Sequence, residues 1–203
     1  MQIVIIEDHQ RTSEIERKTK EVSIVAKIDL DGKGVSKINT GIDFLDHIII
    51  SFSKHSKIDI QLDAKSEDGI KHHLIEDIGI VLGQAVDKAL GKRERINRFG
   101  NAMIPMDEAA SSVSIDLIKR QYSHLDLKLD REKIEDISQE DIIHFFQSFI
   151  GNLECCMHVI VHYGTNDHHK VESAIKATAV ALRSAIKIDP DNEGELPTTK
   201  GMM

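Results

Sequence analysis

The feature that most constrains this chain is a repeat. Residues 72–90 read HHLIEDIGIVLGQAVDKAL and residues 168–187 read HHKVESAIKATAVALRSAIK. Both open on two histidines, place a glutamate four positions after the first, and continue with apolar residues at helical spacing. The copies are offset by 168 − 72 = 96 residues. Ile75, Ile78, Leu82, Ala85 and Ala89 form the buried stripe of one predicted helix. Val171, Ala174, Ile175, Thr178, Leu182 and Ala185 form that of the other. Self-similarity on this scale implies a fold assembled from two like units.

The repeat continues upstream. Thr40 with Asp43, and Ser138 with Asp141, are variant capping boxes that open two short apolar helices. Each carries one histidine, His47 or His144, again offset by 144 − 47 = 97 residues. A strand is expected between the helices of each half, at Ile58–Ala64 and at residues 156–163. Two more are expected before each short helix, at 21–30 and 34–39, then at 111–118 and 122–129. Each half reads strand, strand, helix, strand, helix. The fold class is therefore α+β, an internal duplication with antiparallel-leaning sheets packed on helices. The expected parts are a first repeat over 1–95, a second over 96–190 and a C-terminal arm over 191–203. The seam lies near 91–100, where Gly91, a charged run and Gly100 break the pattern.

A chain of 203 residues with 40 % apolar content can bury a core, which without tryptophan must be mostly aliphatic. A formal charge of −8 argues against broad nucleic-acid binding or an anionic membrane surface, though not against a local pocket for a small anion. No apolar run reaches the roughly 18 residues of a membrane span. Met1–Ile6 lacks the basic front of a signal peptide and reads as a strand. The adjacent Cys155 and Cys156 suit a reducing cytoplasm and are expected to be buried.

The repeated motif carries chemistry. A histidine and a glutamate four positions apart share one helical face and can reach one ion. The second histidine of each pair points about 100° away, towards another ion or a substrate. The candidate ligands are His47, His72, His73, Glu76, His144, His168, His169 and Glu172. Imidazole and carboxylate without thiolate suit manganese, iron or zinc. A histidine at a helix start is commonly only a polar cap; matched pairs, each with its glutamate, favour metal. His9 and His124 are expected to be exposed and His55 to follow and cap the first short helix. His158 and His162 fall on one strand face and are left without a role.

Further segments resemble a known family. They are R-K-T-K-E (17–21), L-D-G-K-G (30–34), T-G-I-D-F-L-D-H (40–47), R-F-G-N-A-M-I-P-M-D-E-A (98–109), N-D-H-H-K-V-E-S (166–173) and P-T-T-K-G (197–201). Together with the first His-His helix they resemble imidazoleglycerol-phosphate dehydratases. The resemblance implies loss of water from D-erythro-imidazole-glycerol 3-phosphate to give imidazole acetol phosphate, in L-histidine biosynthesis. It implies two manganese ions per active site on the eight ligands above. It also implies an imidazolate and diazafulvene route, and a 24-subunit homo-oligomer of trimers with sites shared between subunits. By the same likeness Glu21 is the acid/base, and Arg98, Arg120, Lys176, Thr199 and Lys200 bind substrate. Glu108 orders the site from behind the ligands.

This chain departs from the family in places. Ile70 and Lys71 precede the first His-His where acidic residues are usual, Ser51 replaces a substrate-touching glutamine, and Lys119 replaces a glycine. None removes a proposed ligand. Two rival functions remain at this level: a two-metal hydrolase, which would release phosphate, and a non-catalytic metal-binding shell protein.

Overall fold

The computed structural model describes residues 11–191 and 197–198. The strand expected at Met1–Ile6 and the site residues Thr199 and Lys200 lie outside them. The first half contains β1 (Thr12–Lys18), β2 (Val22–Asp29), β3 (Ser36–Asn39), α1 (Asp43–Ser56), β4 (Asp59–Ser66) and α2 (Lys71–Leu90). The second contains β5 (Phe99–Met106), β6 (Ala109–Asp116), β7 (Tyr122–Asp126), β8 (Lys133–Ile134), β9 (Ile137–Ser138), α3 (Gln139–Leu153), β10 (Cys156–Tyr163) and α4 (Asp167–Ala185).

The duplicated α+β class holds; the main sheet of each unit has one more strand than the sequence pattern revealed, and the second unit adds the two-stranded β8-β9 sheet. The sheets have the same topology, β1-β2-β4-β3 and β5-β6-β10-β7. In each, three strands run antiparallel and the last, β3 or β7, joins parallel to its neighbour. The missed strands, β1 and β5, are edges. β1 turns only Ile15 towards the core among charged residues, and β5 carries Pro105, which an edge strand tolerates.

The helices fill the space inside the sheets. α2 lies on β1, β2 and β4, while α4 lies on β5, β6 and β10. The helices then pair across the duplication, α2 with α3 and α1 with α4. One continuous apolar cluster spans both halves, with Ile24, Leu45, Ile78, Phe146, Val159 and Leu182 almost fully buried. The α2–α3 contact is too close for side chains at two points. A Cβ on Gly79 would meet the Phe145 carbonyl oxygen at 2.8 Å, and one on Gly83 the Phe149 oxygen at 2.5 Å. Arg93, 1 % exposed, then ties the far ends together by bonding Asp87 and the carbonyls of Leu153 and Glu154.

The two helix starts differ from the expected capping boxes. Ser138 does accept from the Asp141 N–H at 3.0 Å, but the Asp141 carboxylate does not reach back. At α1 the Thr40 hydroxyl bonds Asp46 rather than Asp43, and the first turn is capped by Asp136 from the other half, which accepts from the N–H groups of Asp43 and Phe44. His55 does not follow α1; it lies in its last turn, because the helix continues to Ser56 before Lys57 turns left-handed.

Candidate functional site

The crossed pairing of helices decides which donors meet. On α1, His47, Ser51 and His55 recur every four residues and face His168, Glu172 and Lys176, which recur likewise on α4. His47 Nε2 and His168 Nε2 each lie 3.3 Å from Glu172 Oε2. These three groups are close enough to share one ion. Burial pushes the Glu172 carboxyl up, but hydrogen bonds from Lys176 and His47 outweigh it, so the group sits below the ordinary glutamate value. Phe44 packs its ring against His168, 4.9 Å between centroids, and walls one side of an open pocket with Asp43, Glu135 and Asp136.

The second cluster draws on the same residue types with the halves exchanged, and of the two only the first brings all three donors within reach of one ion. His144 of α3 places Nδ1 3.3 Å from His72 Nε2 on α2, and Glu76 Oε2 lies 3.8 Å from the same nitrogen. In each cluster the lone histidine of one half joins the histidine and glutamate of the other. A carboxylate braces each motif imidazole from behind. Asp141 holds His72 Nδ1 at 2.6 Å, and Glu135 holds His168 Nδ1 at 3.1 Å. This leaves each Nε2 free to face the cluster, the arrangement that orients metal-binding histidines.

The second histidine of each pair is turned away. His73 Nδ1 bonds Asp68 at 2.7 Å, and Glu21 lies near enough to form a second three-donor group with them. Asp68 raises the His73 imidazole above its ordinary value. His169 Nδ1 bonds Glu108 at 2.6 Å. Glu108 also accepts from the backbone N–H groups of Thr165 and Asn166, which lead into α4. The bond from His169 is the largest cause of its depression to about 2, and the backbone N–H bonds add to it. Glu21 and Glu108 occupy matching turns before β2 and β6. Within one chain Glu21 stands with His73, not with either His–Glu cluster.

The substrate-binding candidates are dispersed. Lys176 donates to Glu172 at 2.8 Å, beside the first cluster. Arg98, with a left-handed φ of 69°, is clamped by both oxygens of Asp116 at 2.6 and 3.0 Å and donates to the Pro197 carbonyl. It thereby ties Pro197 of the C-terminal arm to the end of β6. Arg120 is exposed, with no side-chain partner among the described residues.

Sequence reading missed the bracing carboxylates Asp68, Glu135 and Asp141. Asp141 was visible only as a capping partner, and no spacing rule links residues 135 and 168. The sequence reading gives His55 no ligand role, yet its interval from His47 and Ser51 places it on the same face of α1 as the candidate ligand His47. Burial first, and then the Lys176 charge, push its imidazole below the ordinary value. Ser51 is buried and its hydroxyl has no hydrogen-bond partner among the described residues. Lys119 is engaged in ion pairs with Glu154 and Asp87. Ile70 is the uncapped N-cap of α2, and its exposed side chain has no explanation in the fold.

Comparison with known proteins gives a consistent picture. The family pattern for imidazoleglycerol-phosphate dehydratase matches residues 40–182. A protein of that name from Chloroherpeton thalassium is 45 % identical over 195 residues, which are 96 % of this chain and 99 % of the relative. One from Phytophthora nicotianae is also 45 % identical, over 95 % of this chain but 42 % of that longer protein. Among solved structures, the imidazoleglycerol-phosphate dehydratase of Staphylococcus aureus superposes with a TM-score of 0.79 at 30 % identity, covering 87 % of this chain and 99 % of that one. The Pyrococcus furiosus enzyme, solved with the compound (S)-C348, gives 0.80 at 32 % identity, covering 93 % of this chain and all of the other.

Proposed function

The chain belongs to the imidazoleglycerol-phosphate dehydratase family, and on that premise we propose that it dehydrates D-erythro-imidazole-glycerol 3-phosphate to imidazole acetol phosphate with two manganese ions. Membership makes it a hydro-lyase of histidine biosynthesis. The observation that carries the finer reading is the pair of crossed clusters, each with imidazoles and a glutamate converging and the motif imidazole braced by a further carboxylate.

The donor set fits manganese. It contains imidazole and carboxylate, no thiolate, and too few protein atoms in either cluster to fill an octahedron, so room remains for substrate. His47, His168 and Glu172 would hold one ion, and His144, His72 and Glu76 the other. His73 and His169 face outward from these clusters, which supports completion of each site by a neighbouring copy in a 24-subunit assembly of trimers. When bound, the ions would supply Lewis acidity to the substrate imidazole, the chemistry that an imidazolate and diazafulvene route needs.

The chain's own groups do the remaining work. Glu21, exposed beside His73, would take the proton from a substrate carbon whose imidazole lies against that histidine. Arg98, its orientation fixed by Asp116, would offer donors to the phosphate, aided by Arg120, Lys176 and the arm residues Thr199 and Lys200. Glu108 fixes the orientation of His169 and the entry into α4. Among the described residues no helix is long and apolar enough to cross a membrane; membership of a histidine-biosynthesis family supports the cytoplasm as the location.

The test is turnover of that substrate after chelation and after return of Mn²⁺, with Glu21→Gln alongside. Ketone should form only with the metal and without phosphate release, and Glu21→Gln should be nearly inactive. Metal-independent turnover, or phosphate release in its place, would overturn the reading.

A further inference from the structure

The outer face of the second sheet carries donors that the clusters above do not use. β7 and β10 run parallel, with Tyr122 opposite Cys156 and His124 opposite His158. Alternation puts Cys156, His158 and His124 on one face. That face points away from the helices, because Met157, Val159 and Val161 fill the buried one. The expectation that both cysteines are buried therefore fails for Cys156. Cys155 ends the preceding loop inside the core, while Cys156 starts β10 facing outward.

We propose that Cys156, His158 and His124 form a binding site for a thiophilic divalent cation of the zinc class, separate from the two His–Glu clusters. Cys156 Sγ lies 3.8 Å from His158 Nε2. A thiolate and an imidazole on a tetrahedral zinc stand about 3.6 Å apart, given the bond lengths of each. The rings of His124 and His158 are 5.7 Å apart between centroids, on strands whose register holds them side by side. His124 is exposed and has no hydrogen-bond partner among the described residues, so its imidazole can rotate to close the third position. Water takes the fourth.

Donor chemistry separates this site from the manganese clusters. One thiolate and two imidazoles favour zinc or cobalt over manganese, whereas imidazole with carboxylate does not discriminate against manganese. Binding converts the Cys156 thiol to thiolate, and one proton leaves to solvent for each ion bound. Cys155 cannot substitute for it. Burial pushes that thiol up to about 12, and its side chain lies on the wrong side of the sheet.

Cobalt is the probe, because a thiolate-to-cobalt charge-transfer band in the near ultraviolet requires a sulfur ligand, and the His–Glu clusters have none. The full chain, loaded with Mn²⁺, is titrated with Co²⁺. The band should rise to one equivalent per chain and disappear when Zn²⁺ is added. Cys156→Ser should abolish it, as should alkylation of Cys156 in the wild-type protein. His124→Ala and His158→Ala should weaken apparent affinity by at least about tenfold. Cys155→Ala and Glu172→Gln should leave the band in place, and Cys156→Ser should keep its manganese-dependent turnover. Absence of the band in the wild type, its survival in Cys156→Ser, or indifference to both histidine variants would overturn the proposal. Because the band reports sulfur alone, the result is independent of whether the dehydratase reading holds.

Discussion

His47 and Glu172 come from opposite halves of a duplicated chain, yet their side chains meet at 3.3 Å. The contact exists because α1 packs on α4 rather than on its sequence neighbour α2, and His144 meets the His72 end of α2 by the same exchange. Neither half holds a complete ligand set alone. Removing the shared carboxylate with Glu172→Gln should therefore cost one ion per chain and lower manganese affinity at that cluster by more than about tenfold, while the cluster at Glu76 keeps its ion. Metal analysis after dialysis reads this, and retention of both ions would refute it.

The helix crossing should be sensitive to single methyl groups. Gly83→Ala places a Cβ 2.5 Å from the Phe149 carbonyl oxygen and 2.9 Å from both the Asn152 Cβ and the Leu153 nitrogen. Overpacking of this kind costs about 1–3 kcal/mol. Denaturant unfolding should show that loss, and because α3 carries His144, manganese uptake at the second cluster should fall with it. An unchanged midpoint would mean the helices separate without penalty.

Glu108 should leave a signature in acid. Its carboxyl is depressed from 4.5 to about 2, first by the bond from His169 and then by backbone N–H groups. A depressed carboxylate stabilises the folded state fully above its unfolded value, and that contribution fades as pH falls towards the folded one. In metal-free protein, the stability difference between wild type and Glu108→Gln should be constant at neutral pH and shrink between pH 4.5 and about 2. A difference independent of pH over that window would assign the effect to packing.

Arg98 provides a separate test of phosphate recognition. Both Asp116 oxygens grip its guanidinium, leaving its orientation little freedom. Arg98→Lys keeps the charge but loses the planar fork. It should raise KM for the phosphorylated substrate by roughly tenfold or more, with a smaller change in kcat, since a hydrogen bond to a charged group is worth about 1.5–3 kcal/mol. A change confined to kcat would contradict a binding role.

Much of this was legible in the sequence, and the omissions have physical reasons. The two His-His-x-x-Glu helices were visible because a buried stripe and a polar motif recur together at a fixed offset. β2, β4, β6 and β10 were visible because their inward faces are apolar. β1 was not, since an edge strand covered on one side needs only Ile15 inside. The exchange of helices could not be read, because the choice between neighbours depends on contacts such as Gly79 against Phe145, remote in sequence. Asp141 illustrates the same limit, being a capping residue by local pattern and a brace for His72 in space.

The central claim is that each metal lies between a lone histidine of one half and the His–Glu pair of the other. Anomalous scattering from manganese in a crystal of the loaded protein tests it most directly. One peak is expected among His47, His168 and Glu172 and another among His144, His72 and Glu76. A peak joining His47 to His72, or manganese bound away from both glutamates, would contradict it.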